Sequence, residues 1–284
     1  MYDTIIIGNG PAGISAALYL KRFNYNPLVI GKDLGSLGYT SYIDNYYGFD
    51  HIKGTDLILK GIEQAKNLGI DVITDEVTSI EYLPNGFSVK CKNTTYEGLT
   101  VLLATGKARN KLNLKNLSNL EGKGVSYCAI CDGFFYRNKK LGIVGSGEFM
   151  KNELDVLKKF SQDITIFTNG EETDIKDFNV VTDKLVSLQG EDFLTAIQTE
   201  KGEYPLDGLF IAYGTANAIS FSKHLGLVLD SQNSIVVKNF QTNIPGIFAA
   251  GDVIGGLLQV SKAVGDGAEA SIEIKKYLQN KKAA

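Results

Sequence analysis

Apolar runs and glycine turns alternate in a fixed order at the start of the chain. An apolar run from Tyr2 ends in Ile5-Ile6-Ile7, Gly8-Asn9-Gly10-Pro11-Ala12-Gly13 follows, and apolar positions then recur at helical spacing from Ile14 to Phe23. This order predicts a strand, a glycine turn and a helix. A second short strand is predicted at Pro27 to Ile30. The arrangement returns at Leu141-Gly142-Ile143-Val144, with Gly145-Ser146-Gly147-Glu148-Phe149-Met150 as its turn and a helix ending near Phe160. Two nucleotide-type βαβ units in one chain define an α/β fold.

Between the two units, Asp71 to Glu81 and Phe87 to Cys91 read as strands joined by Pro84-Asn85-Gly86, and Leu99 to Leu103 as a buried strand ending at Ala104-Thr105-Gly106. Short strands are predicted near Asn179 to Leu188, Phe193 to Thr199 and Gly208 to Ala212. A last strand runs into Ala249-Ala250-Gly251-Asp252, ahead of a long terminal helix. The expected layout is a discontinuous first domain, residues 1–110 plus 212–284, with a second domain, 111–211, inserted in it.

Composition narrows the classes. A formal net charge of -3 over 284 residues, with no basic run, argues against nucleic-acid binding. The apolar stretches, such as Val101 to Ala104, fall far short of the roughly 20 residues a membrane helix needs. Met1 leads straight into the first strand with no basic region or cleavage site, so a cytoplasmic location is expected.

Three cysteines, Cys91, Cys128 and Cys131, are too few for a secreted disulfide framework. His51 and His224 show no ligand spacing with them, and no metal site is expected.

Glycines at 8, 10 and 13 serve a tight turn, backbone approach to a pyrophosphate and close helix–strand packing, and the helix N-terminus then faces the phosphates. Asp33, twenty residues after Gly13, stands where a ribose-binding carboxylate is expected. Cys128-Ala129-Ile130-Cys131 has the spacing of a redox dithiol, and Asp132 beside it is placed to act as a general acid. Cys91, alone at a strand end, reads as a structural thiol.

In order along the chain stand Gly8-Asn9-Gly10-Pro11-Ala12-Gly13, Asp44-Asn45-Tyr46-Tyr47-Gly48-Phe49, Ala104-Thr105-Gly106, Val125-Ser126-Tyr127-Cys128-Ala129-Ile130-Cys131-Asp132-Gly133-Phe134-Phe135 and Gly251-Asp252. With these motifs the chain resembles the low-molecular-weight thioredoxin reductases over nearly its whole length, residues 160–205 matching poorly. The resemblance implies two Rossmann-like, three-layer ββα domains of the flavin disulfide reductase type, the second inserted in the first. It implies FAD in the first domain, with Gly8, Gly10, Pro11, Ala12 and Gly13 at the pyrophosphate and Asp33 near the adenosine ribose. Asn45, Ala104, Thr105, Gly106, Gly251 and Asp252 would lie along the cofactor, and Gln259 and Val260 at the start of the last helix, whose amides face the flavin. Cys131 would lie next to the flavin, Cys128 would attack the disulfide of thioredoxin, and Asp132 would be the acid. A homodimer and two domain orientations are implied as well. The chain departs from the family at Gly35-Ser36-Leu37, where Gly-Gly-Gln is common, and at Leu258, where an arginine is.

The second nucleotide unit departs further. Met150 fills a position where glycine or alanine lets the helix pack close, and Glu148 puts negative charge where a pyrophosphate should sit. After Ile164-Thr165-Ile166-Phe167-Thr168, where the family places His-Arg-Arg for the 2′-phosphate of NADPH, stand Asn169-Gly170-Glu171-Glu172. No lysine or arginine lies between Lys159 and Lys176, so no NADPH is expected. This resembles the ferredoxin-dependent flavin thioredoxin reductases, in which electrons pass from reduced ferredoxin through FAD and the dithiol to thioredoxin. A docking face for acidic ferredoxin would draw on Lys139, Lys140, Lys151, Lys158, Lys159, Lys275, Lys276, Lys281 and Lys282. Tyr39, Tyr42, Tyr46, Tyr47 and Phe49 either wall the flavin or form a core cluster.

Three alternatives stay open: an NADH- or NADPH-dependent disulfide reductase, an oxygen-dependent flavin dithiol oxidase, and a non-catalytic flavoprotein sensor.

Overall fold

The computed structural model describes residues 1–40, 42–106, 112–127, 129–213 and 218–283, and the chain divides into two units, Met1–Arg109 with Asn217–Ala284, and Asn110–Ala216. The first unit opens with β1 (Tyr2–Ile7), α1 (Pro11–Arg22), β2 (Pro27–Gly31), α2 (Gly54–Asn67), β3 (Asp71–Thr74), β4 (Val77–Leu83), β5 (Gly86–Cys91) and β6 (Thr95–Leu103). The second holds α3 (Leu117–Leu120), β7 (Val125–Ser126), α4 (Ala129–Asp132), β8 (Leu141–Val144), α5 (Glu148–Leu157), β9 (Ile164–Phe167), β10 (Asn179–Val181), β11 (Leu185–Gln189), β12 (Ala196–Thr199), β13 (Glu203–Pro205) and β14 (Gly208–Ile211). The chain then completes the first unit with α6 (Ala218–Leu225), β15 (Ile247–Ala249) and α7 (Val260–Ala283).

Among the described residues the first unit's sheet runs β3-β2-β1-β6-β5-β4, with β15 also on β6. Its β3, β2, β1, β6 and β15 are parallel neighbours, and β4-β5-β6 is an antiparallel meander. Parallel strands covered on both faces must be apolar throughout, which is why Ile5, Ile6, Leu28, Val29, Leu102 and Leu103 are buried without alternation. Helices α1 and α7 pack so closely that a Cβ on Gly267 would lie 2.1 Å from Ala12 O. Ser15 Oγ ties the same pair by donating to Val264 O at 2.7 Å.

In the second unit an all-parallel sheet runs β10-β9-β8-β14-β7, and β11-β12-β13 form a separate antiparallel sheet. Its core gathers Val144, Phe167, Ile197 and Leu209. Each unit thus carries a parallel sheet of the doubled α/β architecture expected from the two glycine turns. No helix among the described residues is long and apolar enough to cross a membrane.

Two strand readings change. Asp71 to Glu81 is two strands, β3 and β4, separated at Asp75, whose carboxylate accepts the Glu76 N–H at 2.8 Å and an Asn93 Nδ2 hydrogen at 3.2 Å, and the two strands pair with different neighbours, β2 and β5. Asn179 to Leu188 likewise splits at Asp183, whose carboxylate takes Lys201 Nζ at 2.7 Å. β13 was not foreseen from the sequence, since Glu203-Tyr204-Pro205 is only three residues long and ends in a proline.

Candidate functional site

In the first unit, Gly8 leaves β1 with φ +115°, a conformation that disfavours any Cβ, and a Cβ there would sit 2.2 Å from Ala104 O. A Cβ on Gly13 would lie 1.9 Å from Gly8 O, so this glycine brings α1 against the turn. Gly10 meets nothing within 4 Å and faces open space. It caps α1 without a side-chain hydrogen bond, Pro11 follows, and the first turn holds no acidic residue. Free N–H groups, an unfilled approach and no opposing charge at that turn fit the pyrophosphate of a dinucleotide.

Other expected cofactor residues gather on the same unit. Ala104 continues β6 and donates its N–H to Ile7 O at 2.8 Å, with Thr105 and Gly106 following it. A Cβ on Gly251 would meet the Ala12 Cβ at 2.8 Å, which places the Gly251-Asp252 turn over the start of α1. Asn45 Nδ2 donates to Gln259 Oε1 at 3.0 Å, joining the 44–49 segment to the residue before Val260 and α7. Asp33 accepts the Gly35 N–H at 2.7 Å and lies exposed past β2.

Two residues missed in the sequence complete this region. Lys262 Nζ donates to Gly251 O at 3.1 Å and Gly255 O at 2.8 Å, and pairs with Asp266 at 2.6 Å, while Asp266 accepts the Gly251 N–H at 3.0 Å. A Lys-x-x-x-Asp spacing on a helix was the available signal.

The 42–51 aromatics are not a buried core. Tyr42 stacks on His51 at 3.9 Å, Tyr46 stacks on Phe49 at 5.8 Å, and Tyr47 is 97% exposed.

In the second unit, Cys131 is disulfide-bonded and lies on α4, while Cys128 lies outside the described residues. Asp132 accepts the Ser126 hydroxyl at 2.6 Å, so β7 orients the candidate acid. The Ala129 N–H donates to Glu153 Oε2 at 2.7 Å, and Glu153 is buried on α5. Neither Ser126 nor Glu153 was singled out in the sequence, because a serine in a strand and a glutamate on an amphipathic helix carry no distinguishing pattern. Ile130, Phe134 and Phe135 beside the disulfide are exposed, and Arg137 covers the Phe134 ring at 4.6 Å. Cys91 is free and buried, and burial first, then Asp75, pushes its thiol up to about 12, out of thiolate chemistry at neutral pH.

The second glycine turn keeps its shape and changes its chemistry. Gly145 has φ +150° and approaches Ala212 O and Met150 Cβ, and Met150 is fully buried, so close helix packing survives the larger residue. The polar approach differs. Glu171 accepts the Ser146 hydroxyl, Glu148 opens α5 and pairs with Lys151 at 3.0 Å, and Lys151 also holds Asp174 at 2.8 Å. Burial raises the Tyr213 phenol pKa, the hydrogen bond from Asn169 lowers it, and the hydrogen bond the phenol donates to Glu171 raises it. Carboxylates therefore line the turn where a pyrophosphate and a 2′-phosphate would need donors.

Four of the candidate lysines have partners among the described residues. Lys151 is paired as described, Lys158 pairs with Asp155 at 2.6 Å, Lys276 pairs with Glu273 at 2.7 Å, and Lys275 lies over the Phe23 ring at 4.5 Å.

A glycine cradle on one α/β unit and, on a second, a disulfide-bonded Cys131 within a Cys-x-x-Cys motif define a disulfide oxidoreductase of the two-nucleotide-domain class. The family model described as pyridine nucleotide-disulphide oxidoreductase matches residues 2–173 and 155–267, and the chain belongs to that family. The chain is 34% identical to the atypical thioredoxin reductase TRi from Desulfovibrio vulgaris Hildenborough, covering 99% of each, with a TM-score of 0.91. It is 30% identical to a ferredoxin-flavin thioredoxin reductase from Clostridium acetobutylicum, covering 98% of each, with a TM-score of 0.77. A thioredoxin reductase of Listeria monocytogenes is 32% identical over 99% of this chain and 95% of its own length.

Proposed function

We propose that this chain is a flavin-dependent thioredoxin reductase that takes its electrons from reduced ferredoxin and not from NADPH. The observation that carries the choice of donor is Glu171 on Ser146, a carboxylate fixed at the second glycine turn. Resemblance to the ferredoxin-flavin protein of Clostridium acetobutylicum supports it.

Gly8, Gly10, Pro11, Ala12 and Gly13 would hold the FAD pyrophosphate and Asp33 the ribose, with Asn45, Ala104, Thr105, Gly106, Gly251, Asp252, Gln259 and Val260 along the rest. Bound FAD supplies a carrier that accepts single electrons as well as pairs, which suits a one-electron donor.

The chain's own thiols then perform the exchange. The Cys128 thiolate attacks one sulfur of the thioredoxin disulfide, forming a mixed disulfide and expelling one thioredoxin thiolate. The Cys131 thiolate attacks the Cys128 sulfur, closes the Cys128–Cys131 disulfide and expels the second. Two electrons and two protons leave with thioredoxin. Asp132, held by Ser126, is placed to protonate a departing thiolate. Exposed Ile130, Phe134 and Phe135 give apolar surface for a protein partner. The working assembly is a homodimer.

The test is anaerobic addition of NADPH, then NADH, then reduced ferredoxin to the purified yellow protein. Flavin bleaching by ferredoxin alone, followed by thioredoxin reduction, is the expected result. Prompt bleaching by either nucleotide overturns the choice of donor, and thiol-dependent oxygen consumption points to an oxidase.

A further inference from the structure

The turn that follows β15 is held at both ends by one side chain. Gly251, Gly255 and Gly256 have φ of +83°, +74° and +76°, a region that glycine enters without strain. Such a turn has many conformations open to it, and fixing one of them costs free energy. Lys262, in the first turn of α7, donates from Nζ to Gly251 O at 3.1 Å and to Gly255 O at 2.8 Å, bracketing the 3-10 turn Gly251–Ile254. Its third hydrogen is directed to Asp266 at 2.6 Å, so every donor of the ammonium is used.

Asp266 also accepts the Gly251 N–H at 3.0 Å. The two peptide planes that flank the Gly251 Cα are therefore each held, the one before it by Asp266 and the one after it by Lys262. That sets both φ and ψ of the residue preceding Asp252. The same Cα stands against the start of α1, where a Cβ on Gly251 would meet the Ala12 Cβ at 2.8 Å. The platform is rigid too, since Ser15 Oγ on α1 donates to Val264 O, between Lys262 and Asp266, at 2.7 Å.

Helix chemistry does not account for the pair. A cation in the first turn opposes the macrodipole, and lysine ahead of aspartate is the weaker order for an i,i+4 pair. Surface charge does not account for it either, because the two side chains are only 21% and 12% exposed.

We infer that Lys262 and Asp266 are positioning residues for the cofactor: they pre-form the Gly251-Asp252 turn, so that FAD binds without having to order it. Removing an ordering cost in advance appears directly as affinity. The inference rests on the reading of FAD in the first unit.

Lys262→Met keeps the aliphatic stem and removes the three donors, whereas Lys262→Arg keeps a cation that can donate to the same carbonyls. FAD is titrated into the wild-type and variant apoproteins well below their melting temperatures, followed by flavin fluorescence. Lys262→Met is expected to raise the FAD Kd about tenfold or more, and Lys262→Arg to recover most of the loss. A lysine that served only the fold would lower the melting temperature and leave the affinity of the folded protein unchanged, so an equal Kd in wild type and Lys262→Met overturns the inference. Should Lys262→Met not fold, amide exchange in the wild-type apoprotein decides. Slowing of the Gly251 and Gly255 amides by about tenfold or more before FAD is added supports a pre-formed turn, and a smaller slowing overturns it. If the wild type takes up no FAD, the cofactor reading falls and the inference with it; tight FAD binding indifferent to Lys262→Met sinks the inference alone.

Discussion

Ser126 Oγ donates to Asp132 Oδ2 at 2.6 Å, across the five residues, 127–131, that contain both cysteines of the redox motif. The bond fixes the carboxyl on the short helix that carries Cys131. If Asp132 is the proton donor in disulfide exchange, Asp132→Asn is expected to lower thioredoxin turnover by about a hundredfold or more, the usual worth of a positioned acid. Ser126→Ala removes one orienting hydrogen bond and is expected to cost about fivefold to tenfold. Stopped-flow reduction of thioredoxin by the pre-reduced enzyme measures both. Equal rates in wild type and Asp132→Asn would remove Asp132 from the exchange.

The first glycine turn separates fold from cofactor binding. A Cβ on Gly13 would lie 1.9 Å from Gly8 O, with backbone on one side and Ile6 on the other, whereas a Cβ on Gly10 would meet nothing. Gly13→Ala is therefore expected to lower thermal stability and flavin content together. Gly10→Ala is expected to leave the apoprotein's melting temperature within error and to weaken FAD binding, since the new methyl group occupies the approach used by the pyrophosphate. Melting of the apoproteins and FAD titration check the pair; normal FAD affinity in Gly10→Ala would place the phosphates elsewhere.

Cys91 contributes to the alkaline sensitivity of the first unit. Its folded pKa is raised, by burial and then Asp75, to about 12, while an unfolded chain ionises a thiol at about 8.5. With the folded value the higher, the stability contributed by the neutral thiol is complete below the unfolded pKa and is lost as pH rises toward the folded one. Urea midpoints are expected to decline between about pH 8.5 and 11 less steeply in Cys91→Ser or Cys91→Ala than in wild type. Iodoacetamide at pH 8 is expected to spare Cys91 in the native state and to label it in urea; native labelling would contradict its burial.

Much of this was legible in the residues themselves. Local steric rules wrote both glycine turns into the chain, and uniform burial of parallel strands made β1, β2, β8 and β14 plain apolar runs. What escaped were decisions made by polar side chains at long range. Asp75 ends one strand by bonding to Asn93, Asp266 holds Gly251 from one helical turn past Lys262, and Glu153 reaches the disulfide segment from another element. Each is an acidic residue whose backbone or amide partner is chosen by the fold, and of the three only Asp266 carried a spacing signal, four residues after Lys262. The lysine candidates show the same limit: Lys151, Lys158, Lys275 and Lys276 have carboxylate or aromatic partners that their positions in the sequence do not reveal.

The acidic turn of the second unit makes a prediction that the fold alone does not. Glu171 bonded to Ser146, with Glu148 in the first turn of α5, places two carboxylates at a helix start whose geometry otherwise suits a phosphate. Wild type is accordingly expected to show no saturable NADPH binding by calorimetry. A carboxylate near a helix N-terminus that opposes an incoming anion is worth up to about 1 kcal/mol, so Glu148→Ala with Glu171→Ala is expected to improve NADPH affinity by tenfold or so. Adding Glu172→Arg supplies a cation for the 2′-phosphate, and the improvement should then favour NADPH over NADH. Rescue of binding without preference for the 2′-phosphate would assign the defect to the pyrophosphate turn alone. Should the double variant bind no better than wild type, charge is not what excludes the nucleotide, and the buried Met150 at the third motif position becomes the place to substitute next.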